Sequence, residues 1–296
     1  MIARVTQSTI SRQLLGGVRQ IERRLLDAQD QLSSGKRLRA ASDDPAGAAL
    51  VNGLRAESRD LTALTRTVNF GTAVLSAQDD ALDQAESLLV RAREIASQEA
   101  GGLASTATRQ QAAAELAEIE RGLIAIANTQ VDGRYVFAGL ASGTAPFTAL
   151  DDPGFDPLNP YTGGADPFVV RTSDATTARI TTTGDQVFGA SIAALDELRV
   201  TLAAGNSPTA SIDAVEQAAE GLRAERASVG GRARQLADRT TDITAGIARI
   251  TERLGDVEGA DYAAVVTELT LLQTALQATL ASGQSLQTSI LDYLSL

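Results

Sequence analysis

The chain has 296 residues and a formal net charge of −11, with no Cys, His or Trp and a single Met at position 1. These absences exclude disulfides, Cys/His zinc sites, haem or iron–sulfur ligation and any Ser-His-Asp or Cys-His machinery made from this chain alone. Aromatics amount to 3%, which is low for a thick globular core, so packing in long thin layers is expected.

Charge is segregated along the chain. Residues 1–39 carry a net +5, whereas residues 261–296 carry three acids and no base. A basic first segment and a base-free last segment are therefore expected to attract each other. The cluster Arg19, Arg23, Arg24, Lys36, Arg37 and Arg39 reads as the solvated face of a helix. An acidic chain whose arginines are spread along helical faces is not expected to bind nucleic acid. The opening residues lack the apolar stretch of about 7–15 residues that marks a secretory signal. No run approaches the roughly 18 apolar residues of a membrane span, so no membrane partner is expected.

In chain order, the first predicted element is a helix with Val18, Ile21, Leu25, Ala28 and Leu32 alternating steps of three and four, ended by a left-handed cap at Gly35. Ser42-Asp43-Asp44-Pro45 then opens a second helix. Asp44 can cap the free amides, and Pro45 suits the first helical position because its missing N–H costs nothing there. Over about 45–98 a strict heptad runs through Leu54, Leu61, Val68, Leu75, Leu82, Leu89 and Ala96, until Gly101-Gly102 breaks it. Ala112, Leu116, Ile119, Leu123 and Ile126 mark a third helix.

The middle differs in kind: seven of the ten aromatics fall between 135 and 188, and five of the seven prolines lie in 146–167. Strand-like pieces are expected at 134–138, 168–172 and 179–183, separated by turn-forming Asp-Gly, Gly-Gly and Pro-rich stretches. After Ser207-Pro208, a second cap-then-proline, the heptad returns through Val215, Leu222, Val229, Leu236, Ile243, Ile250 and Val257. Gly255 to Gly259 should interrupt it, and Asp261 can cap a last helix carrying Val265, Leu269, Leu272, Leu276, Leu286, Ile290 and Tyr293.

The expected fold is mainly α with a small β-rich insert: long antiparallel coiled-coil arms, the N- and C-terminal helices paired, and the head in the middle of the chain. The corresponding divisions are 1–40 and 259–296 for the paired terminal helices, 41–130 and 191–258 for the outgoing and returning arms, and 131–190 for the head.

No catalytic or metal-binding constellation is present, and no cofactor is implied. Asp79, Asp80 and Asp83 read as a polar helix face, and Asp151-Asp152 as turn formers. Gly230-Gly231 follows no strand, so it is no phosphate loop; close helix approach or a bend is expected there.

The wording at both ends is specific. Leu32-Ser33-Ser34-Gly35-Lys36-Arg37 and Ala41-Ser42-Asp43-Asp44-Pro45-Ala46-Gly47 resemble the N-terminal signature of bacterial flagellins and their hook-associated relatives. Residues 269–278 and the ending Ser289-Ile290-Leu291-Asp292-Tyr293-Leu294 resemble their C-terminal helix. Within that superfamily Asp132 to Gly139, Thr144-Ala145-Pro146-Phe147 and Gly184 to Phe188 look more like the hook-associated protein 3 family of hook–filament junction proteins than like flagellin. Residues 148–183 match nothing recognisable.

The resemblance implies a structural component, not an enzyme. It implies export through the flagellum's own type III apparatus without a cleaved signal, and an extracellular place at the hook–filament junction. It also implies ring assembly with copies of itself, contacts with hook-associated protein 1 and flagellin, and an export chaperone on the C-terminal helix. Carried onto this chain, the assembly interface comprises Leu14, Val18, Ile21, Leu25 and Leu32 with Val265, Leu269, Leu272, Leu276, Leu286 and Ile290, Tyr293 being a further seam residue. A flagellin-type filament subunit is the alternative within the superfamily. A cytoplasmic coiled-coil scaffold is the alternative that the heptads alone permit.

Overall fold

The computed structural model describes residues 7–101, 104–173 and 175–294, with side chains over 12–101, 104–173 and 175–284. The elements are α1 (Gln7–Ser34), α2 (Pro45–Glu99), α3 (Thr106–Ala127), β1 (Gln130–Val131), β2 (Arg134–Tyr135), β3 (Val169–Arg171), β4 (Thr177–Arg179), α4 (Gly184–Ala203), α5 (Thr209–Glu258) and α6 (Tyr262–Leu294). The protein is thus mainly α with a small β-containing insert. The chain divides into a terminal unit, Met1–Arg59 with Ile247–Leu296, and a central unit, Asp60–Gly246.

In the central unit the heptads become the core. Val68, Leu75, Leu82, Leu89 and Ala96 of α2 are buried, as are Val215, Leu222, Val229, Leu236 and Ile243 of α5. The two segments run antiparallel. Gly71 lies against Leu236, Arg226 reaches Asp79 at 3.1 Å, Arg223 reaches Glu86 at 2.7 Å and Arg93 reaches Glu216 at 2.8 Å. A Cβ on Gly71 would stand 2.9 Å from Leu236 Cδ1 and 3.1 Å from Ile180 Cγ2, so a hydrogen at this seam position sets the spacing. Gly230 and Gly231 do not share this role: a Cβ on either would meet nothing within 4 Å. The expectation of close helix approach there is corrected, since both face open space. Asp79 and Asp83 are not merely solvated either, because both pair with Arg226 across the seam.

Helices α3 and α4 pack as a second antiparallel pair, with Leu116, Leu123, Ile192, Leu195, Leu198 and Leu202 fully buried. Ser105 caps α3 by accepting from the Thr108 amide. The head is the stretch of chain between α3 and α4. Its first hairpin turns at Asp132 (φ 50°) and Gly133 (φ 74°), the left-handed pair that a two-residue turn between right-twisted strands requires. In the second, Val169 faces Arg179 and Arg171 faces Thr177.

The strands are shorter than the sequence suggests, and the last lies earlier. The Val136 amide still donates to the Thr129 carbonyl in register with the hairpin, but the chain turns from there, so the strand expected at 134–138 is only Arg134–Tyr135. The expected strand at 179–183 is instead Thr177–Arg179, because Thr181, Thr182 and Thr183 already lead into the N-terminus of α4. Gly255 does not interrupt α5, which continues to Glu258; a glycine facing open space weakens a helix without breaking it.

Aromatic packing closes the head: Phe137 stands edge-on to Phe188 at 4.8 Å, and Phe147 to Tyr161 at 5.4 Å and to Phe188 at 6.0 Å. One buried amide ties this cluster to the arm. Gln78 Nε2, on α2, donates to the carbonyls of Val136 (3.4 Å) and Ile180 (3.2 Å), which lie on opposite sides of the irregular loop.

One buried charge is built into the α3–α4 contact. Glu120 is fully buried and accepts from Arg199 Nε at 2.8 Å, while Nη2 of the same guanidinium pairs with Asp196. Burial raises the Glu120 carboxyl above its ordinary value, against the pull of Arg199. The folded state therefore holds this proton more tightly than the unfolded chain. That contribution to stability is full below the unfolded pKa and fades as pH rises through the folded one. Glu120→Gln, which keeps an acceptor for Arg199, is expected to gain on the parent protein over the range in which pH climbs from the ordinary glutamate value through the raised one. Thermal unfolding across that range measures the gap, and a gap that does not widen in the variant's favour refutes this account. Leu82→Ala is expected to cost the central unit about 2–5 kcal/mol in denaturant unfolding, as for other buried leucines.

Candidate assembly surface

The terminal unit is built on a helix pair with a thin apolar seam. Helices α1 and α6 pack antiparallel: Gly35 at the end of α1 meets Tyr262 at the start of α6, and Leu14 meets Gly283. Within this pair only Ala28, Val265 and Leu272 are buried among the described residues. Leu14, Val18, Ile21, Leu25, Leu32, Leu269 and Leu276 are half-covered. The side chains of Leu286, Ile290 and Tyr293 lie outside the described residues.

A second apolar stripe went unread in the sequence. Leu15 and Leu26 on α1 and Tyr262, Val266, Leu271 and Leu280 on α6 are at least half exposed. Its signal was available as apolar residues beside seam positions, as Leu26 beside Leu25 and Leu271 beside Leu272, which broaden a coiled-coil seam into a two-sided face. The expected attraction between the charged ends has no direct pairing behind it at the residues proposed: Arg19, Arg23 and Arg24 make no ion pair among the described residues. Arg23 instead donates to the Arg19 carbonyl.

The signature between α1 and α2 folds into a connector that grips the α5–α6 junction. Gly35 adopts φ 67°, so the conformation favours glycine, and a Cβ there would lie 2.7 Å from the Tyr262 hydroxyl and push that exposed side chain aside. Asp43 Oδ2 accepts from the amides of Arg39 (3.2 Å) and Ala40 (2.9 Å), and these backbone donors hold its carboxyl below the ordinary value. Asp44 Oδ1 accepts from the Gly47 amide at 2.9 Å, capping α2, whose first residue is Pro45. Ser42 stays exposed, its hydroxyl 3.4 Å from Asp43. Arg39 reaches back to Asp30 (2.6 Å) and Asp27 (3.1 Å) on α1.

Glu258 is the hub that sequence reasoning missed. Its carboxylate is 10% exposed and pairs with Lys36 (3.0 Å) and Arg55 (2.6 Å), while its carbonyl accepts from the Arg37 amide at 2.7 Å. The Ala260 amide donates to the Gly35 carbonyl at 3.0 Å, and Asp261 Oδ1 caps α6 through Ala263 and Ala264. A lone glutamate late in a helix carries no motif; only the return of the chain places it between two cations. This set of groups holds helix ends at fixed angles. Among the described residues no group of Asp and Glu could hold a metal ion, and no helix is long and apolar enough to cross a membrane.

If Glu258 organises the connector, Glu258→Ala should release the Arg37 and Leu38 amides, raising their hydrogen exchange about tenfold or more. Unchanged protection of both amides would show that the ion pairs are incidental.

Comparison with known proteins agrees with this layout. Residues 5–142 match the bacterial flagellin N-terminal helical region and residues 212–294 the C-terminal helical region, together about three quarters of the chain. A flagellin of Listeria monocytogenes is 26% identical over 270 residues, covering 89% of this chain and 90% of that protein. Flagellar hook-associated protein 3 of Escherichia coli is 29% identical over 160 residues, 54% of this chain and 48% of that one, so the match spans about half of that relative. A solved flagellar hook-associated protein of Vibrio parahaemolyticus shares the fold with a TM-score of 0.65 at 20% identity, covering 73% of this chain and all of that one. The chain belongs to the bacterial flagellin superfamily.

Proposed function

We propose that the chain is the hook–filament junction component of a bacterial flagellum, a structural protein and not a catalyst. On this reading it is exported through the flagellar type III apparatus and assembles as a ring of copies between hook-associated protein 1 and the flagellin filament. Before export, a chaperone shields the C-terminal helix.

The observation that carries the reading is the convergence of the three stretches that resemble hook-associated protein 3. Phe137, Phe147 and Phe188, one from each, pack into a single aromatic cluster, so the resembling residues act as one structural element. The similarity to hook-associated protein 3 of Escherichia coli supports it further. The second reading, a filament subunit, draws on the similarity that runs along 89% of this chain to a flagellin.

The terminal unit supports an assembly role in either case. A helix pair that leaves most of its seam half-covered has little stability alone, and apolar area covered by neighbours supplies the rest. The seam residues Leu14, Val18, Ile21, Leu25, Leu32, Val265, Leu269, Leu272 and Leu276 are proposed as that interface, with Leu286, Ile290 and Tyr293 continuing it.

A strain lacking the gene is expected to make intact hooks and to shed unassembled filament protein into the medium, as seen by electron microscopy and immunoblotting. Normal filaments on hooks in that strain would overturn the junction role, and loss of the filament protein itself would favour the second reading. Leu25→Asp and Leu276→Asp should each abolish incorporation on hooks while circular dichroism of the purified chain stays close to the parent's. A charged residue at a half-covered seam position blocks burial by neighbours more than it disturbs the central unit.

A further inference from the structure

Two faces of the central unit are complementary and too far apart to meet within one copy. The first is the outer face of the β3–β4 hairpin. Strand alternation places Val169, Arg171, Thr177 and Arg179 on one side, with Val169 directly opposite Arg179 and Arg171 opposite Thr177. All four are exposed, whereas Val170 on the other side is buried against the core. Neither Arg171 nor Arg179 has an ion-pair partner among the described residues. The hairpin thus presents an apolar centre, Val169 at 50% exposure, between two guanidiniums open to a partner.

The second face is a groove of about 770 Å³ between α4, α5 and the loop at Pro157-Leu158. Its floor is small, with Ala194, Ala214 and Ala218, and its apolar rim is Leu158 and Val200, exposed by 87% and 52%. Its charge is acidic. Glu197 lies one helical turn from Val200 with no ionic partner among the described residues, and Asp156 stands exposed beside Pro157. No Lys or Arg lines the groove, and Arg199 on α4 is already held by Glu120 and Asp196.

Along α5, the hairpin's end is marked by Leu236, which with Val170 and Ile180 surrounds Gly71, and the groove's end by Ala218. At 1.5 Å per residue these points are about 27 Å apart. A basic face with an apolar knob and an acidic groove with an apolar rim, so separated, fit each other only between copies.

We propose that the β3–β4 hairpin of one copy docks in the α4–α5 groove of the next, Val169 packing on Leu158 and Val200, and Arg171 and Arg179 pairing with Glu197 and Asp156. The contact is heterologous, joining different faces of successive copies, so it propagates into a ring or a helical row. It rests on the proposed assembly function and names a surface for it outside the terminal helices.

The absence of Cys makes the test clean. Val169→Cys and Leu158→Cys are introduced into the full chain singly and together, and examined on isolated flagellar hooks and in the concentrated purified protein. Disulfide formation needs Cα atoms within about 7 Å, which excludes bonding inside one copy. The double variant is expected to give a non-reducing ladder of dimers and larger multimers. Mixed single variants should give dimers only, and either single variant alone at least tenfold less. Arg171→Glu with Arg179→Glu should lower the cross-linked fraction at least tenfold, and adding Glu197→Arg with Asp156→Arg should restore it.

Protein present on hooks with no ladder overturns the inference and leaves the junction reading standing. A ladder in purified protein that is absent from hooks preserves the contact and overturns the junction reading. If reversal of the arginines stops incorporation while no sample of the double variant shows a disulfide between copies, the hairpin serves another partner and the inference fails.

Discussion

The antiparallel return of α5 along α2 is the contact on which the central unit depends. Neither heptad seam buries anything until the other covers it, because a helix with one apolar stripe gains little from its own propensity. Once Leu75, Leu82 and Leu89 lie against the Leu222–Leu236 stretch, the remaining features have somewhere to attach. The seam is narrow, and Gly71 shows how its spacing is set by small residues as much as by large ones. Arginines of α5 then meet acids of α2 at several rungs. Each exposed pair is weak in water, so their value lies in register more than in strength.

The head is held together differently. It has almost no regular secondary structure, two short hairpins and a long run of turns, yet Phe137, Phe147 and Phe188 are fully or nearly fully buried. Edge-to-face rings supply area and direction that short strands cannot. Gln78 then satisfies two carbonyls that a loop would otherwise leave unpaired inside the protein. The acid at Glu120 is held by the same logic: a buried charge is tolerable only because Arg199 reaches it.

The terminal unit is underfilled by comparison, and this is where structure meets function. Its helices carry apolar residues on two sides and bury few of them. The connector around Glu258 is, in contrast, tightly bonded, so the helix ends are fixed while their faces remain open. A flagellar component that assembles with other subunits benefits from that division: fixed geometry at the junctions and uncovered apolar area along the helices.

Much of this was legible in the sequence. The heptads gave the helices and their buried positions, because a seven-residue period has few other physical solutions. Gly35, Asp44-Pro45 and Asp261 gave the helix ends, because capping is local chemistry. The head was legible as a change of composition but not as strands, since its order comes from ring packing between residues far apart in sequence. The expected interruption falls at Gly259 and not at Gly255, and Gly230-Gly231 make no close helix approach, because a glycine's meaning depends on what stands opposite it. Glu258, Gln78 and Glu120 were invisible for the same reason. The sequence by itself determined periodicity, caps and family; only the tertiary structure decided which charges are buried, which glycines are needed and which apolar faces stay uncovered, because those depend on partners brought together from distant parts of the chain.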